Sequence, residues 1–349
     1  MTVRALSQPA TTLEEVARAA QVSRATASRV VNGDRRVSEQ ARSAVESAIR
    51  SLGYVPNQAA RSLVTRRSGS VAVVIPEPSG QLFGDPFFPR ILRGISDALS
   101  EDSLQLVLLM PQARTDEERA ERYLGAGHTD GAILISLHGS DPLPGALQRR
   151  GVPLVVGGRP MAPGVTYVDV DNEGGAATAV RHLVEIGRGR IATIAGPQDM
   201  APGADRLAGY RAAVAEAGRA ADEALVEISD FSHDGGRAAM ERLLQRTPEL
   251  DAVFVASDLM ALGALSALRA AGRSVPGDVA VVGFDDSQLA LTTQPTLTSV
   301  GQPIEEMGRE LTRLLLEEIR SPGGSPRRVI LDTRLIVRES SGGGDPDAR

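Results

Sequence analysis

From Val71 onward the chain alternates short apolar runs with helical stretches, and few folds accept that alternation. Runs at Val71–Ile75, Leu104–Met110, Gly131–Ile135 and Val152–Val156 are separated by helical segments from Pro86 to about Ser100, near Asp116–Leu124 and near Pro144–Arg150. After Tyr167–Val170 a second series begins: helix Glu173–Ile186, strand Arg190–Ala195, helix Asp205–Ala217, strand Ala224–Ile228 and helix His233–Leu244. Strand Ala252–Ala256, helix Asp258–Ala271 and strand Val279–Phe284 continue it. A long helix, about Pro303–Ile319, and strands near Val329–Leu331 and Leu335–Arg338 follow. Short apolar strands joined by helices make parallel sheets covered on both faces. Two such series predict an α/β core of two doubly wound parallel-sheet halves.

The first 69 residues lack this pattern and read as all-α. Thr12-Leu13-Glu14-Glu15 fits a capping box, in which Thr12 caps the Glu15 N–H and Glu15 reaches back. Leu13, Val16, Ala17 and Ala20 then share one helix face. Gln21-Val22-Ser23 makes a turn, and a second helix runs from Ser23 to Val30 or Val31 before Asn32-Gly33-Asp34 breaks it. Ser38 caps a third helix with Ala41, Val45, Ala48, Ile49 and Leu52 inward, ended by Gly53. Two short helices joined by about three residues, the second polar and Arg-bearing, describe a helix-turn-helix. The bland alternative is a three-helix bundle that merely contains Arg. Ser23, Arg24, Thr26, Ser28 and Arg29 favour the first reading, because hydroxyls suit phosphate oxygens and guanidiniums suit guanine edges. Pro56 or Asn57 then starts a helix of about eight residues, marginal in isolation.

Charge divides along the same line. The chain carries a formal −6, yet residues 1–69 hold 11 Arg against 5 acidic residues, a head of +6 on a body of −12. Such a split points to a polyanion partner for the head alone. There is no Lys, Cys or Trp. Their absence removes disulfides, thiolate nucleophiles, Cys-ligated metals, Schiff-base lysines and the phosphate-loop lysine. No Gly-x-Ser-x-Gly elbow or His-Glu-x-x-His pair is present, and His128, His138, His182 and His233 have no metal spacing. Gly125-Ala126-Gly127 falls at a helix end, as a C-cap does, rather than after a strand. Catalytic residues, metal and cofactor are therefore all expected to be none, and the chain is not expected to be an enzyme. With no apolar leader and no run of about 18 apolar residues, a cytoplasmic address is expected, with no membrane partner.

Ligands of open α/β sheets sit at the carboxyl ends of the strands. Phe87 and Phe88 follow the first strand of the core. Arg206, Phe231, Ser257 with Asp258, and Asp285 with Asp286 follow strands of the second series. A guanidinium, carboxylates and aromatic faces around one cleft suit a polyol. Each charge taken alone reads equally well as a helix cap.

The motifs Thr12-Leu13-Glu14-Glu15-Val16-Ala17, Val22-Ser23-Arg24-Ala25-Thr26-Ala27-Ser28-Arg29-Val30-Val31-Asn32-Gly33, Val37-Ser38, Leu52-Gly53-Tyr54-Val55-Pro56-Asn57 and Ala60-Arg61-Ser62-Leu63 make the chain similar to the lactose-repressor (LacI/GalR) family. The likeness continues through the body. It implies that Arg24, Ala25 and Arg29 face base edges in the major groove while Ser23, Thr26, Ser28 and Asn32 hold phosphates. It further implies that hinge helices of two subunits enter the minor groove, with Asn57 and Ala60 lining it and Leu63 as the wedge. Ala27 stands where the family usually has Val. For the core the resemblance implies a periplasmic-binding-protein-like architecture whose effector positions are Phe87, Phe88, Arg206, Phe231 and Asp285, with Asp258 either an effector contact or a cap. Met200 and Pro202 are not typical sugar binders, and Ser79–Asp85 departs from the commoner Asn-Pro form.

The resulting expectation is a DNA-binding transcriptional regulator, a repressor, acting as a homodimer on a near-palindromic double-stranded DNA operator. Its affinity would be set by a small-molecule effector, a sugar or sugar derivative. The competing reading, a solute-binding protein for a sugar transporter, shares the body but needs export and no DNA-reading head. Expected boundaries are a helix-turn-helix headpiece at 1–54, hinge and linker at 55–69, and an effector-binding core at 70–340. Within the core, about 70–168 with 301–327 make the N-subdomain and about 169–300 with 328–340 the C-subdomain, before a disordered tail at 341–349.

Overall fold

The computed structural model describes residues 11–31, 34, 36–54, 67–139, 141–160, 163–219 and 222–342. Asn32, Asn57, Ala60 and Leu63 lie outside the described residues. The chain divides into two units, Met1–Gly69 and Ser70–Arg349.

In the first unit, α1 (Leu13–Ala19), α2 (Arg24–Val31) and α3 (Glu39–Leu52) form where the caps place them. The Glu15 N–H donates to Thr12 Oγ1 at 3.3 Å, and the Thr12 N–H donates to Glu15 Oε2 at 2.7 Å. Gln21 turns the chain between α1 and α2 at φ +55°. Ser38 accepts from the Ala41 N–H, and Gly53, at φ +59°, ends α3 in the left-handed conformation that glycine adopts freely. Val16, Ala17, Ala27, Val30, Val45 and Ala48 bury together between the helices. Ala27 is fully buried, so the departure from Val changes internal packing and not the exposed face of α2.

The second unit contains two six-stranded sheets. The first is built from β1 (Ser70–Val74), β2 (Gln105–Leu109), β3 (Gly131–Ile135), β4 (Leu154–Gly157), β5 (Tyr167–Val170) and, much later, β11 (Arg328–Leu331), in the order β11-β5-β4-β3-β1-β2. The second takes β6 (Ile191–Ala195), β7 (Val226–Ile228), β8 (Ala252–Val255), β9 (Ala280–Asp285), β10 (Thr298–Gly301) and β12 (Arg334–Ile336), in the order β12-β10-β9-β8-β6-β7. All described pairings are parallel except β12 against β10. β3, β8 and β9 are buried along their whole length, which is why they read as unbroken apolar runs.

Helices α4 (Ser79–Gly84), α5 (Phe87–Glu101), α6 (Arg114–Gly125), α7 (Leu143–Arg149) and, from the distant chain, α13 (Ile304–Arg320) belong to the first half. Helices α8 (Asn172–Glu185), α9 (Ala201–Glu216), α10 (His233–Arg246), α11 (Asp258–Ala270) and α12 (Gln288–Thr292) belong to the second. Alternate strand residues feed opposite layers. Val71, Val73 and Ile133 pack on Ile91, Ile95 and Leu311, while Ala72, Val74 and Leu134 pack on Leu124 and Leu147. In the second half Val253 and Val281 meet Met240, Leu243 and Ala264, and Ala252, Phe254 and Val282 meet Ala177, Val180 and Leu207. Close helix contacts require glycine at several positions. A Cβ on Gly94 of α5 would lie 2.1 Å from the Glu305 carbonyl oxygen, and one on Gly263 of α11 would lie 2.0 Å from that of His233.

The chain passes between the halves after β5, after β10 and again after β11. This corrects the expected boundaries. Residues 328–331 pair with β5 in the first sheet, Val329 opposite Val168, rather than joining the second half; Asp169 and Val170 also belong to the first sheet. Without β11 that edge of β5 would present an unpaired row of backbone groups. Strand β10 and helix α4 had no counterpart in the sequence reading. The expected tail also begins too early: Ser341 is buried, with its hydroxyl 2.8 Å from His182 Nε2. Residues 343–349 lie outside the described residues.

Candidate functional site

The carboxyl ends of both sheets face a cleft of about 830 Å³, solvent at its mouth included. Phe87, Phe88, Arg206, Phe231 and Asp285, all expected from the sequence, line it. The first half contributes Phe87 and Phe88 from the start of α5, their rings edge-to-face at 5.4 Å. Arg206, one turn into α9, is 5% exposed. Its Nε donates to Asn172 Oδ1 at 2.9 Å and its Nη1 to the Ala256 carbonyl at 2.6 Å, with Asp285 Oδ1 3.8 Å away. The guanidinium lies 3.7 Å from the Phe284 ring centroid and 5.9 Å from that of Phe231. Burial works against its charge, and Asp285 leads the carboxylates that sustain it.

The backbone at the rim is held in costly conformations. Ser136, Phe231, Asp285 and Asp286 have φ of +62°, +64°, +113° and +46°. Such positions concentrate where a site must aim a side chain. Phe231 lies against Gly196, where an added Cβ would sit 2.2 Å from the ring, so the residue after β6 is glycine to let the aromatic face into the cleft.

Asp258 is placed differently. It is 1% exposed and does not line the cleft; Oδ1 accepts from the Ser299 hydroxyl at 2.6 Å and Oδ2 from the Ser287 N–H at 2.7 Å. Ser257 supplies the cap of α11. Asp258 therefore ties α11 to β10 and the segment after β9. Burial raises the pKa of both Asp258 and Asp285, and their mutual repulsion adds to it at Asp258.

Several lining groups were not singled out from the sequence. Asp169 accepts the Val170 N–H and the Asn172 amide on Oδ1, and the Arg159 N–H on Oδ2. Gln302 donates to Asp285 Oδ1 at 2.5 Å. Asp85, noted only as a departure, is buried in the wall, and burial pushes its pKa up to about 6. An acid inside an apolar parallel strand was the available signal for Asp169; Gln302 had none until β10 was known.

Side chains also bridge the halves. Arg159, after β4, bonds Asp205 of α9 at 2.5 Å. Arg90 of α5 pairs with Glu305 and donates to the Asp285 carbonyl at 3.2 Å. His138, after β3, sits between Glu77 at 3.1 Å and Asp199 of the second half at 3.0 Å, and these acids hold its pKa near 9. The Gly139 N–H adds a bond to the Asp199 carbonyl at 2.7 Å.

In the head, α2 presents Ser23, Arg24, Ala25 and Arg29 exposed, with Thr26 and Ser28 partly so. Ser23 Oγ accepts the Thr26 N–H at 3.1 Å, so it caps α2 while remaining at the surface. Arg24 reaches back to Glu14 of α1 at 2.7 Å, a pair exposed enough that a phosphate or base edge could displace the carboxylate at little cost. Among the described residues no cluster could hold a metal ion, and no helix is long and apolar enough to cross a membrane.

Residues 12–57 match the description "bacterial regulatory proteins, lacI family" and residues 162–341 match "periplasmic binding protein-like domain". The chain is 53% identical over 332 residues to the HTH-type transcriptional regulator CelR of Thermobifida fusca, covering 94% of this chain and 98% of CelR. A solved complex of CelR with cellobiose superposes with a TM-score of 0.77 at 51% identity, covering 95% of this chain and 99% of that one. The lac repressor dimer bound to operator and the anti-inducer ONPF superposes with a TM-score of 0.84 at 26% identity, again over 95% and 99%.

Proposed function

Because this chain belongs to the LacI family of DNA-binding transcriptional regulators, we propose that it is a cytoplasmic, homodimeric repressor, not an enzyme, released from its operator by cellobiose or a closely related glucoside. The observation that carries the effector reading is the pairing of a buried Arg206–Asp285 couple with Phe87, Phe88 and Phe231 around one cleft. The couple suits paired hydroxyls, and the rings suit the C–H faces of pyranoses. The likeness to CelR, whose complex holds cellobiose, supports the same class. Met200 and Pro202 add apolar wall to the cleft.

In this reading Arg24, Ala25 and Arg29 read base edges, Ser23, Thr26, Ser28 and Asn32 hold phosphates, and Leu63 wedges the central step beside Asn57 and Ala60. The headpiece spans 1–54 and the hinge 55–69. The effector shifts the equilibrium only through a higher affinity for the closed, DNA-releasing form of the core. The test is a gel shift with an operator selected from a random duplex library, at two salt concentrations, with and without cellobiose. Salt-sensitive binding that cellobiose reverses is expected; salt-insensitive or absent binding refutes the regulator reading. Indifference to cellobiose and other glucosides refutes the effector reading.

A further inference from the structure

We propose that Asp85 is a specificity-determining residue of the cleft: its carboxylate accepts a hydroxyl of an uncharged sugar and excludes sugars bearing phosphate or carboxylate. This rests on the cleft being the effector site and goes further by naming the charge class it admits.

Three observations carry it. First, an anion entering the cleft meets acids with little cationic capacity to receive it. Asp85, Asp169 and Asp285 line it, against Arg159 and Arg206. Arg159 is engaged by Asp205, and Arg206 by Asn172, the Ala256 carbonyl and the Asp285 carboxylate. Anion sites present guanidinium forks or helix N-termini to the ligand. Second, of the helix N-termini that open on the cleft, that of α5 is occupied by Asp85 itself: Oδ1 accepts the Phe87 N–H at 2.9 Å. At that end a sugar phosphate would have to displace a carboxylate fixed in the chain. Third, Asp85 keeps unused capacity at the cleft wall. Asp169 uses both oxygens, whereas Asp85 and Asp285 each have one oxygen engaged; Asp285 also pairs with Arg206, while among the described residues Asp85 makes no ion pair and its Oδ2 accepts no hydrogen bond. A carboxylate oxygen open to the cleft and without a donor is satisfied by a ligand that brings one. The repulsion Asp85 feels from Asp258 and Glu77, beside the desolvation that dominates, agrees with a wall already crowded with negative charge.

The experiment is isothermal titration of the full chain with cellobiose, gentiobiose and maltose and with the 6-phosphate of each, for wild type and Asp85→Asn. A neutral disaccharide should bind, with its phosphate weaker by about a hundred-fold or more, as like-charge juxtaposition costs several kcal/mol. Asp85→Asn should lower affinity for the neutral sugar by roughly ten-fold, the loss of a bond to a charged acceptor, and should narrow the gap to the phosphate. Maltose binding in place of the β-glucosides cellobiose and gentiobiose would refute the cellobiose reading and leave charge selection supported. A phosphate that binds wild type as tightly as its parent sugar overturns the proposal. So does a protein that binds no neutral member, or a gap unchanged by Asp85→Asn in a variant whose melting curve shows it folded.

Discussion

The two halves of the core share an architecture and divide the work of the cleft. Each is a six-stranded sheet with helices on both faces, and each presents strand carboxyl ends to the same space. The second half supplies Arg206, Phe231 and Asp285, locked together and held by positive-φ backbone at two of the three. The first half supplies the Phe87–Phe88 edge and the Asp85 and Asp169 carboxylates. One half therefore holds a rigid polar anchor, while the other offers walls that meet it through a few bridging side chains. Such a division suits a domain in which closure, rather than assembly of the anchor, responds to ligand.

The comparison breaks most severely at the anchor. Arg206→Ala should abolish effector binding and destabilise the core by about 3 kcal/mol, because Asp285 and Asn172 lose a buried cationic partner. Calorimetry and urea unfolding read the two effects. Near-native stability in that variant would mean that the anchor is not structural. Next in size are the helix contacts. Gly263→Ala in the second half and Gly94→Ala in the first should each cost about 1–3 kcal/mol, because backbone rather than a flexible side chain opposes the added methyl. Equal losses would show that the halves are packed alike, and the shift of urea midpoint measures them. A smaller effect is expected at the walls. Phe87→Ala, partly exposed, should weaken effector binding by about 1 kcal/mol while stability changes little. A stability loss as large as that of Gly94→Ala would place Phe87 in the core instead.

The smallest effect concerns the bridge between the halves. His138 has a pKa raised from 6.5 to about 9 by Glu77 and Asp199, so its folded form is favoured when charged. That stabilisation is fully present below pH 6.5 and is lost as pH rises toward 9. The melting temperature of wild type minus that of His138→Ala should therefore shrink across this window. A difference that is flat with pH would show that the bridge carries no charge-dependent stability.

Caps and strand runs were legible because their causes are local. Thr12 with Glu15, Ser38 and Gly53 end their helices by bonds to neighbours within a few residues. Ser232 and Ser257 cap α10 and α11 by equally local bonds, although at the second site the sequence pointed to Asp258 as the cap. The wall and anchor residues Phe87, Phe88, Arg206, Phe231 and Asp285 were legible because each follows a recognisable strand. Asp258 follows one too, but its carboxylate turns away to Ser287 and Ser299. Strand position reports only that a residue reaches the sheet end, not which way it faces. His138, Asp199 and Glu77 were illegible as a group, since 61 residues separate the histidine from either acid.

By itself the sequence determined the charge split between head and body, the helix-turn-helix with its exposed Ser23, Arg24, Ala25 and Arg29, and the two βα series. Those follow from periodicity, capping and composition, which act over a few residues. Only the tertiary structure decided that Arg328–Leu331 completes the first sheet while Arg334–Ile336 turns antiparallel onto the second. It likewise decided that Thr298–Gly301, rich in hydroxyls, is a fully buried strand. Which open edge a strand closes, and which acid faces a cleft or a serine, depends on backbone groups and side chains brought together from distant parts of the chain.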